Sequence, residues 1–212
     1  VSWGDGGVPC AVPPMAVPPA ADDDVIEAVA AAIRSGKKTA LLLGGRALRE
    51  PSLLAAARIA AQCDITLLAE TFPTRIDRGA GLPPVERIAY LAELAGIQLA
   101  DVEHLILVDS KAPVSFFAYP GKRSYLVPDS CEVLTLATAE QDTTASLERL
   151  AQVLGADNAT PLLQASQRPG RPRGKLTTEK VCKAVGHLLP QNAIIIDEKI
   201  YFQTAKAVIL PK

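Results

Sequence analysis

The sequence has two histidines, few aromatic residues and no closely spaced pair of cysteines. Its four cysteines (Cys10, Cys63, Cys131 and Cys182) are far apart, so their spacing indicates neither a metal site nor a redox pair. Reduced thiols are typical of cytoplasmic proteins, and we expect a cytoplasmic location. No apolar run approaches the ~20 residues that span a bilayer, and the first residues lack the basic-then-apolar pattern of a signal peptide.

The sequence also has no large excess of positive or negative charge. The net charge of −1 gives no general attraction for nucleic acid or an acidic membrane. The stretch from Arg168 to Lys175 superficially resembles an AT-hook, but Pro169 stands where the hook has arginine before its glycine. We therefore expect a solvated linker here and no nucleic-acid partner, although a DNA-associated protein is a formal alternative.

The clearest positive signal is the run from Lys38 to Arg46, which is apolar from Ala40 and ends in Gly44-Gly45-Arg46. An apolar run without alternation is typical of a strand buried on both faces of a parallel sheet. Glycines allow a tight turn, and Pro51 suits the first turn of a following helix. The pattern predicts an α/β fold: a Rossmann-like, doubly wound parallel sheet of about six strands with helices on both faces.

Periodicity and capping signals place the other elements. Predicted helices begin near Asp23 (with a capping box of Asp24 and Glu27), Pro51, Val85, Asp142 and Thr177, and predicted strands cover 39–43, 65–69, 104–108, 125–127, 132–136 and 193–196.

Two loops that follow predicted strands could carry function. The loop 70–84 is polar and rich in glycine, so it could bind a ligand or be a solvated crossover. The loop 109–125 groups Phe116, Phe117, Tyr119 and Tyr125, which could line a pocket, contact a neighbouring domain or form local core.

Composition divides the chain into four parts. Residues 1–21 are rich in proline and predict a linker from a preceding domain, and 22–156 predict the central Rossmann-like domain. Residues 157–175 predict a second linker rich in proline and arginine. Residues 176–212 predict the start of a second α/β domain that does not close within this chain.

With these parts located, the chain resembles the central domain of thiamine-diphosphate-dependent enzymes, in the branch of acetolactate-synthase-like large subunits related to benzoylformate decarboxylase. Four stretches carry the resemblance: Leu41 to Leu48, Glu70 to Arg75, Gly79 to Pro83 and Ala112 to Pro120. Residues 176–198 resemble the entry into that family's diphosphate-binding domain.

The resemblance implies a parent protein that uses thiamine diphosphate and magnesium as a carbon–carbon lyase or transferase on 2-keto acids. The activating glutamate and the metal motif of the family would lie in pyrimidine-binding and diphosphate-binding domains outside this chain. A Gly4-Asp5-Gly6 triplet begins such a metal motif, but the first asparagine that could complete it is Asn158. We therefore expect an inactive fragment with no catalytic or metal-binding residue, from a homodimeric or homotetrameric parent.

Some members of the family bind FAD or ADP in this domain, and others use it as a spacer. The resemblance places a nucleotide contact at Gly44, Gly45 and Arg46. The strand 133–138 carries no acidic residue, which argues against FAD. Two alternatives stay open: a spacer domain, and a stand-alone nucleotide-binding Rossmann-like module.

Overall fold

The computed structural model describes residues 10–14, 16–118 and 120–196. Its elements, in chain order, are α1 (Asp23–Arg34), β1 (Thr39–Leu43), a 3-10 turn (Gly45–Leu48), α2 (Glu50–Cys63), β2 (Thr66–Ala69), β3 (Glu86–Arg87), α3 (Ala92–Leu99), β4 (His104–Val108), β5 (Glu132–Ala137), α4 (Thr143–Val153) and α5 (Thr178–Leu188).

The five strands of the described residues form one parallel sheet in the order β3-β2-β1-β4-β5. β1 lies at its centre, and every residue of that strand is buried. In register, Leu41 is paired with Leu67 on one side and with Ile106 on the other. The predicted parallel α/β fold is confirmed, with five strands where about six were predicted.

Successive side chains of the central strand point to opposite faces of the sheet and enter two separate cores. Leu41 and Leu43 pack with α1, α2 and α4 on one face. Ala40 and Leu42 pack with Leu99 of α3 on the other face. Helices therefore cover both faces, as predicted, but unequally.

The capping signals gave mixed results. Asp142 and Thr177 cap α4 and α5, because their side chains accept hydrogen bonds from the N–H groups of Ala145 and Lys180. The predicted capping box of Asp24 and Glu27 is wrong. Asp22 is the N-cap of α1 and makes no side-chain capping bond, so the other two residues lie inside the helix.

The helix predicted from Val85 to Leu94 is also wrong. Glu86 and Arg87 form β3, and the N–H of Ile88 continues the pairing to Ala69 O at 2.9 Å. Helix α3 begins only at Ala92. Pairing with β2 gives this short segment backbone partners that an isolated helical turn would lack, so the sheet overrides the local pattern.

Two predicted strands are absent from the described residues. In 125–127 only Tyr125 makes a β-bridge, an isolated antiparallel one to Val114. In 193–196 there is no strand, and Ile194 is exposed. A strand needs a partner, and sequence alone does not say whether the partner is present.

The predicted linker 157–175 contains no helix or strand, yet part of it is held in place. Gln164 accepts a hydrogen bond from Gly81 N–H and donates its own N–H to Leu82 O, both at 2.9 Å. The boundaries predicted for the four parts of the chain stay predictions.

Candidate functional site

The parallel sheet brings four chain segments to one edge. The carboxyl ends of β1, β2, β4 and β5 are followed by Gly44, Glu70, Asp109 and Thr138. The chain leaves β1 towards β2 on one side and returns as β4 on the other, so the strand order reverses between β1 and β4. Ligands of open α/β sheets bind in the crevice at such a switch point.

The glycine turn after β1 is in very close contact with the segment after β4. A Cβ atom on Gly44 would lie 2.3 Å from Asp109 O and 2.9 Å from Ser110 Cβ. Gly45 has a φ of +41°, and its Cβ would lie 2.3 Å from Asp109 Oδ2. Gly44 is therefore required by the close approach of two backbone segments, and Gly45 by its conformation and by the Asp109 carboxylate beside it.

Two carboxylates occupy the N–H groups of this turn. Glu70 Oε1 accepts a hydrogen bond from Gly45 N–H at 3.2 Å, and Asp109 Oδ2 accepts one from Arg46 N–H at 2.7 Å. Burial raises the pKa of Glu70, the hydrogen bond from Gly45 N–H opposes the rise, and the charge of Asp109 adds to it. Asp109 has a φ of +49°, a left-handed conformation that aspartate tolerates better than most residues.

The guanidinium of Arg46 is directed to the loop after β5. It donates hydrogen bonds to the carbonyl oxygens of Ala139 and Gln141. Arg46 therefore ties the glycine turn to the start of α4 through backbone acceptors. The predicted nucleotide contact at Gly44, Gly45 and Arg46 stays a prediction, and the structure places these residues together with two carboxylates that a phosphate group would have to displace.

A cavity of about 580 Å³ opens beside the turn, within the size range of small-molecule pockets. Glu70, Asp109 and Ser110 line it. Three mutually packed rings line it too: Phe72 and Tyr90 have centroids 5.8 Å apart, Phe72 and Phe116 5.4 Å, and Tyr90 and Phe116 5.7 Å. Carboxylates and aromatic rings therefore line one concave space.

Sequence reasoning located part of this cavity. Both loops proposed as ligand-binding contribute to it, through Glu70 and Phe72 from one and through Phe116 from the other. Phe117 packs edge-on against Phe116 with centroids 4.8 Å apart. Tyr119 lies outside the described residues, as do the residues of the Gly4-Asp5-Gly6 triplet.

The sequence analysis did not single out Glu70, Asp109 or Tyr90 as site residues. An acidic residue directly after a buried strand was the available signal, since Glu70 follows β2 and Asp109 follows β4. Their convergence could not be foreseen without the strand order. Tyr90 falls in a segment for which the sequence predicted a helix.

Within the described residues, no cluster of three or more His, Cys, Asp and Glu side chains is placed to hold a metal ion. Of the helices in the same part of the chain, none has both the length and the apolar character needed to cross a membrane.

Comparison with known proteins finds relatives over most of the chain. It is 46% identical over 198 residues to a Mycobacterium tuberculosis protein named "Putative acetolactate synthase large subunit IlvX". That match covers 93% of this chain and 38% of the relative, so the chain spans well under half the length of the curated relative it matches. No protein-family model matches the chain.

Solved structures share the fold at low sequence identity. A "putative thiamin diphosphate-dependent enzyme" from Mycobacterium smegmatis superposes with a TM-score of 0.61 at 16% identity, over 86% of this chain and 38% of the other. A thiamine diphosphate-dependent 4-hydroxybenzoylformate decarboxylase from Rhodococcus jostii superposes with a TM-score of 0.55 at 14% identity, over 77% of this chain and 33% of the other. These comparisons confirm the resemblance predicted from the sequence, and they do not favour the stand-alone module.

Proposed function

Because this chain is a relative of the acetolactate-synthase-like, thiamine-diphosphate-dependent proteins, we propose that it forms the central domain of a magnesium-dependent lyase or transferase that acts on 2-keto acids. The observation that carries the proposal is the 46% identity over 198 residues to the M. tuberculosis relative. The parallel five-stranded fold, shared with two thiamine-diphosphate-dependent proteins, supports it.

The described residues do not fit thiamine diphosphate. A diphosphate needs N–H donors or cations, but the N–H groups of Gly45 and Arg46 already donate to carboxylates, and the Arg46 guanidinium donates to carbonyl oxygens. Two negative side chains at the turn would repel the group. We propose that pyrimidine-binding and diphosphate-binding domains hold the cofactor.

The surface of α5 supports a role within a larger assembly. Val181, Val185 and Leu188 lie on one face of this helix, and each is more than 40% exposed. An apolar helix face is normally covered in a folded protein. We propose that the diphosphate-binding domain of the parent covers it, in a cytoplasmic homodimer or homotetramer.

The domain would then act by position. The sheet packs between two hydrophobic cores, and we propose that the segments before α1 and after α4 connect it to neighbouring domains. We propose a spacer that sets the distance between cofactor-binding domains, with no catalytic residue of its own.

Calorimetry with the purified chain, thiamine diphosphate and magnesium tests the division of labour. We expect no saturable binding, and micromolar binding to this chain alone would contradict the proposal. The longer gene product is the matched positive control. It should bind the cofactor and release carbon dioxide from pyruvate or benzoylformate only when both thiamine diphosphate and magnesium are present. A long product that binds the cofactor but acts on neither keto acid would refute the proposed substrate class alone.

A further inference from the structure

We propose that the cavity at the carboxyl edge of the sheet binds a small organic cation built on a flat ring. This goes beyond the proposed function, because it gives the central domain a ligand of its own that is neither thiamine diphosphate nor a nucleotide phosphate. The proposal rests on the acidic and aromatic side chains that line this one cavity.

The acidic residues that line the cavity supply negative charge and carboxylate oxygens that can accept further hydrogen bonds. Glu70 and Asp109 each use one carboxylate oxygen on the glycine turn, and within the described residues their second oxygens accept no hydrogen bond. Glu140 also lines the cavity, and a hydrogen bond from the Thr138 hydroxyl lowers its pKa and keeps it ionised. Among the described residues that line the cavity, the one cation is Lys111, which is exposed. The field inside the cavity therefore favours a positive ligand.

The same cavity is lined by aromatic rings. Phe72 and Phe116 are 47% and 59% exposed, which is high for phenylalanine, and both line the cavity together with Tyr90. The negative face of an aromatic ring attracts a cation within about 6 Å of its centroid. A flat cationic ring can stack on these rings and pair its charge with the carboxylates of the same cavity, whereas both sets of side chains would repel an anion.

The same contacts argue against a phosphate. The turn N–H groups that would receive it are bonded to Glu70 and Asp109, and the Arg46 guanidinium is bonded to carbonyl oxygens. A nucleotide would have to break these bonds and bring its own negative charge next to two carboxylates. The aromatic rings and the carboxylates that line the cavity therefore select a ligand by the sign of its charge as well as by its shape.

Two probes that differ mainly in charge test the inference on the full 212-residue chain. The cation 1-methylnicotinamide and the neutral nicotinamide share one ring, and ADP serves as the anionic probe. In calorimetry at low salt we expect the cation to bind about tenfold more tightly than the neutral ring, which matches a desolvated cation–π contact with added carboxylates. ADP should bind more weakly than either.

Three variants assign the effect to this cavity. Glu70→Gln keeps the shape of the side chain and should lower the affinity for the cation several-fold while leaving nicotinamide unchanged. Phe116→Leu keeps an apolar side chain at an exposed position and should reduce the cation's advantage. Glu132→Gln is the matched control, because Glu132 lies at the opposite edge of the sheet beside His104. It should bind like the wild type.

Thermal unfolding of every variant checks that it is folded, and the mild character of Phe116→Leu keeps the test usable if Glu70→Gln is unstable. Equal affinity for the cation and the neutral ring, or no binding of the cation at millimolar concentration, would overturn the proposal. So would cation binding that Glu70→Gln and Phe116→Leu leave intact. Tighter binding of ADP would overturn it too, in favour of the nucleotide contact at Gly44, Gly45 and Arg46.

Discussion

The carbonyl oxygen of Asp109 lies 2.3 Å from the position that a Cβ atom on Gly44 would occupy. The two backbone segments that follow β1 and β4 are thus in direct contact, with no room for a side chain between them. A glycine at the end of the central strand is explained by this packing alone, and it is not by itself a sign of a bound phosphate.

Gly44→Ala should therefore destabilise the domain by about 1–3 kcal/mol, the usual cost of forcing extra volume into a close-packed site. Backbone conformation is not the cause, because the φ of Gly44 is −135° and any residue can adopt it. Gly96→Ala is the matched control. A Cβ there meets nothing within 4 Å, and alanine in α3 should stabilise by up to about 1 kcal/mol. Urea unfolding measures both, and equal effects would show that the contact at Gly44 relaxes freely.

Arg46→Ala should lower the free energy of unfolding by about 1 kcal/mol. Its guanidinium donates hydrogen bonds to the carbonyl oxygens of Ala139 and Gln141. Hydrogen bonds from a charged donor usually contribute more to stability than this, but the Arg46 side chain is exposed and solvent reduces their contribution. Arg171→Ala, in the exposed linker, should change stability by less than about 0.5 kcal/mol. If Arg46 instead holds a nucleotide phosphate, its removal should weaken ADP binding by roughly 10- to 150-fold. The same two proteins thus separate a structural arginine from a ligand-binding one.

Glu70→Gln should gain stability relative to the wild type as pH rises. Burial raises the pKa of Glu70, so the carboxyl contributes stability below the unfolded-state pKa of about 4.3 and loses that contribution as pH rises through the higher folded-state value. Glutamine keeps an acceptor for Gly45 N–H without the charge. Unfolding in urea at acidic and neutral pH gives the difference between the two proteins at each pH.

Glu140→Gln is the control with the opposite sign. The hydrogen bond from Thr138 lowers the pKa of Glu140, so this carboxylate contributes stability above the unfolded-state pKa and loses it as pH falls. The glutamine variant should be the less stable protein at neutral pH and should match the wild type in acid. Parallel slopes for the two variants would contradict the assignment of both shifts.

Limited trypsin digestion should cut first at Arg173 or Lys175. Gln164 is bonded to Gly81 and Leu82, and Arg168 to carbonyl oxygens at the end of α5. After Pro169 the exposed linker is held, within the described residues, only at Lys175, whose carbonyl oxygen accepts one hydrogen bond from Lys180 Nζ. Arg168 and Arg171 are followed by proline, which blocks trypsin. Mass spectrometry identifies the first product. Replacing Arg173 and Lys175 by glutamine should slow this cut, and an early cut within 22–156 instead would contradict a separately folded central domain.

Elements whose signal is local and strong could be predicted from the sequence. The apolar runs of β1 and β4 predicted strand bounds that the structure reproduces residue for residue, because a strand buried on both faces is predominantly apolar. The side chains of Asp142 and Thr177 marked helix starts correctly, because a cap is made within a few residues of the chain. The resemblance of the chain to thiamine-diphosphate-dependent proteins was equally visible in its motifs.

Features that depend on partners distant in the chain could not be predicted from local patterns. Glu86 and Arg87 are a strand because β2 offers them hydrogen bonds, and 193–196 is not a strand because no neighbour does so in the described residues. Glu70 and Asp109 are 39 positions apart in the chain and meet at one turn only because β2, β1 and β4 are adjacent and parallel. The strand order is set by the sum of core packing over the whole sheet, so no local pattern could place two carboxylates and a wall of rings around one cavity.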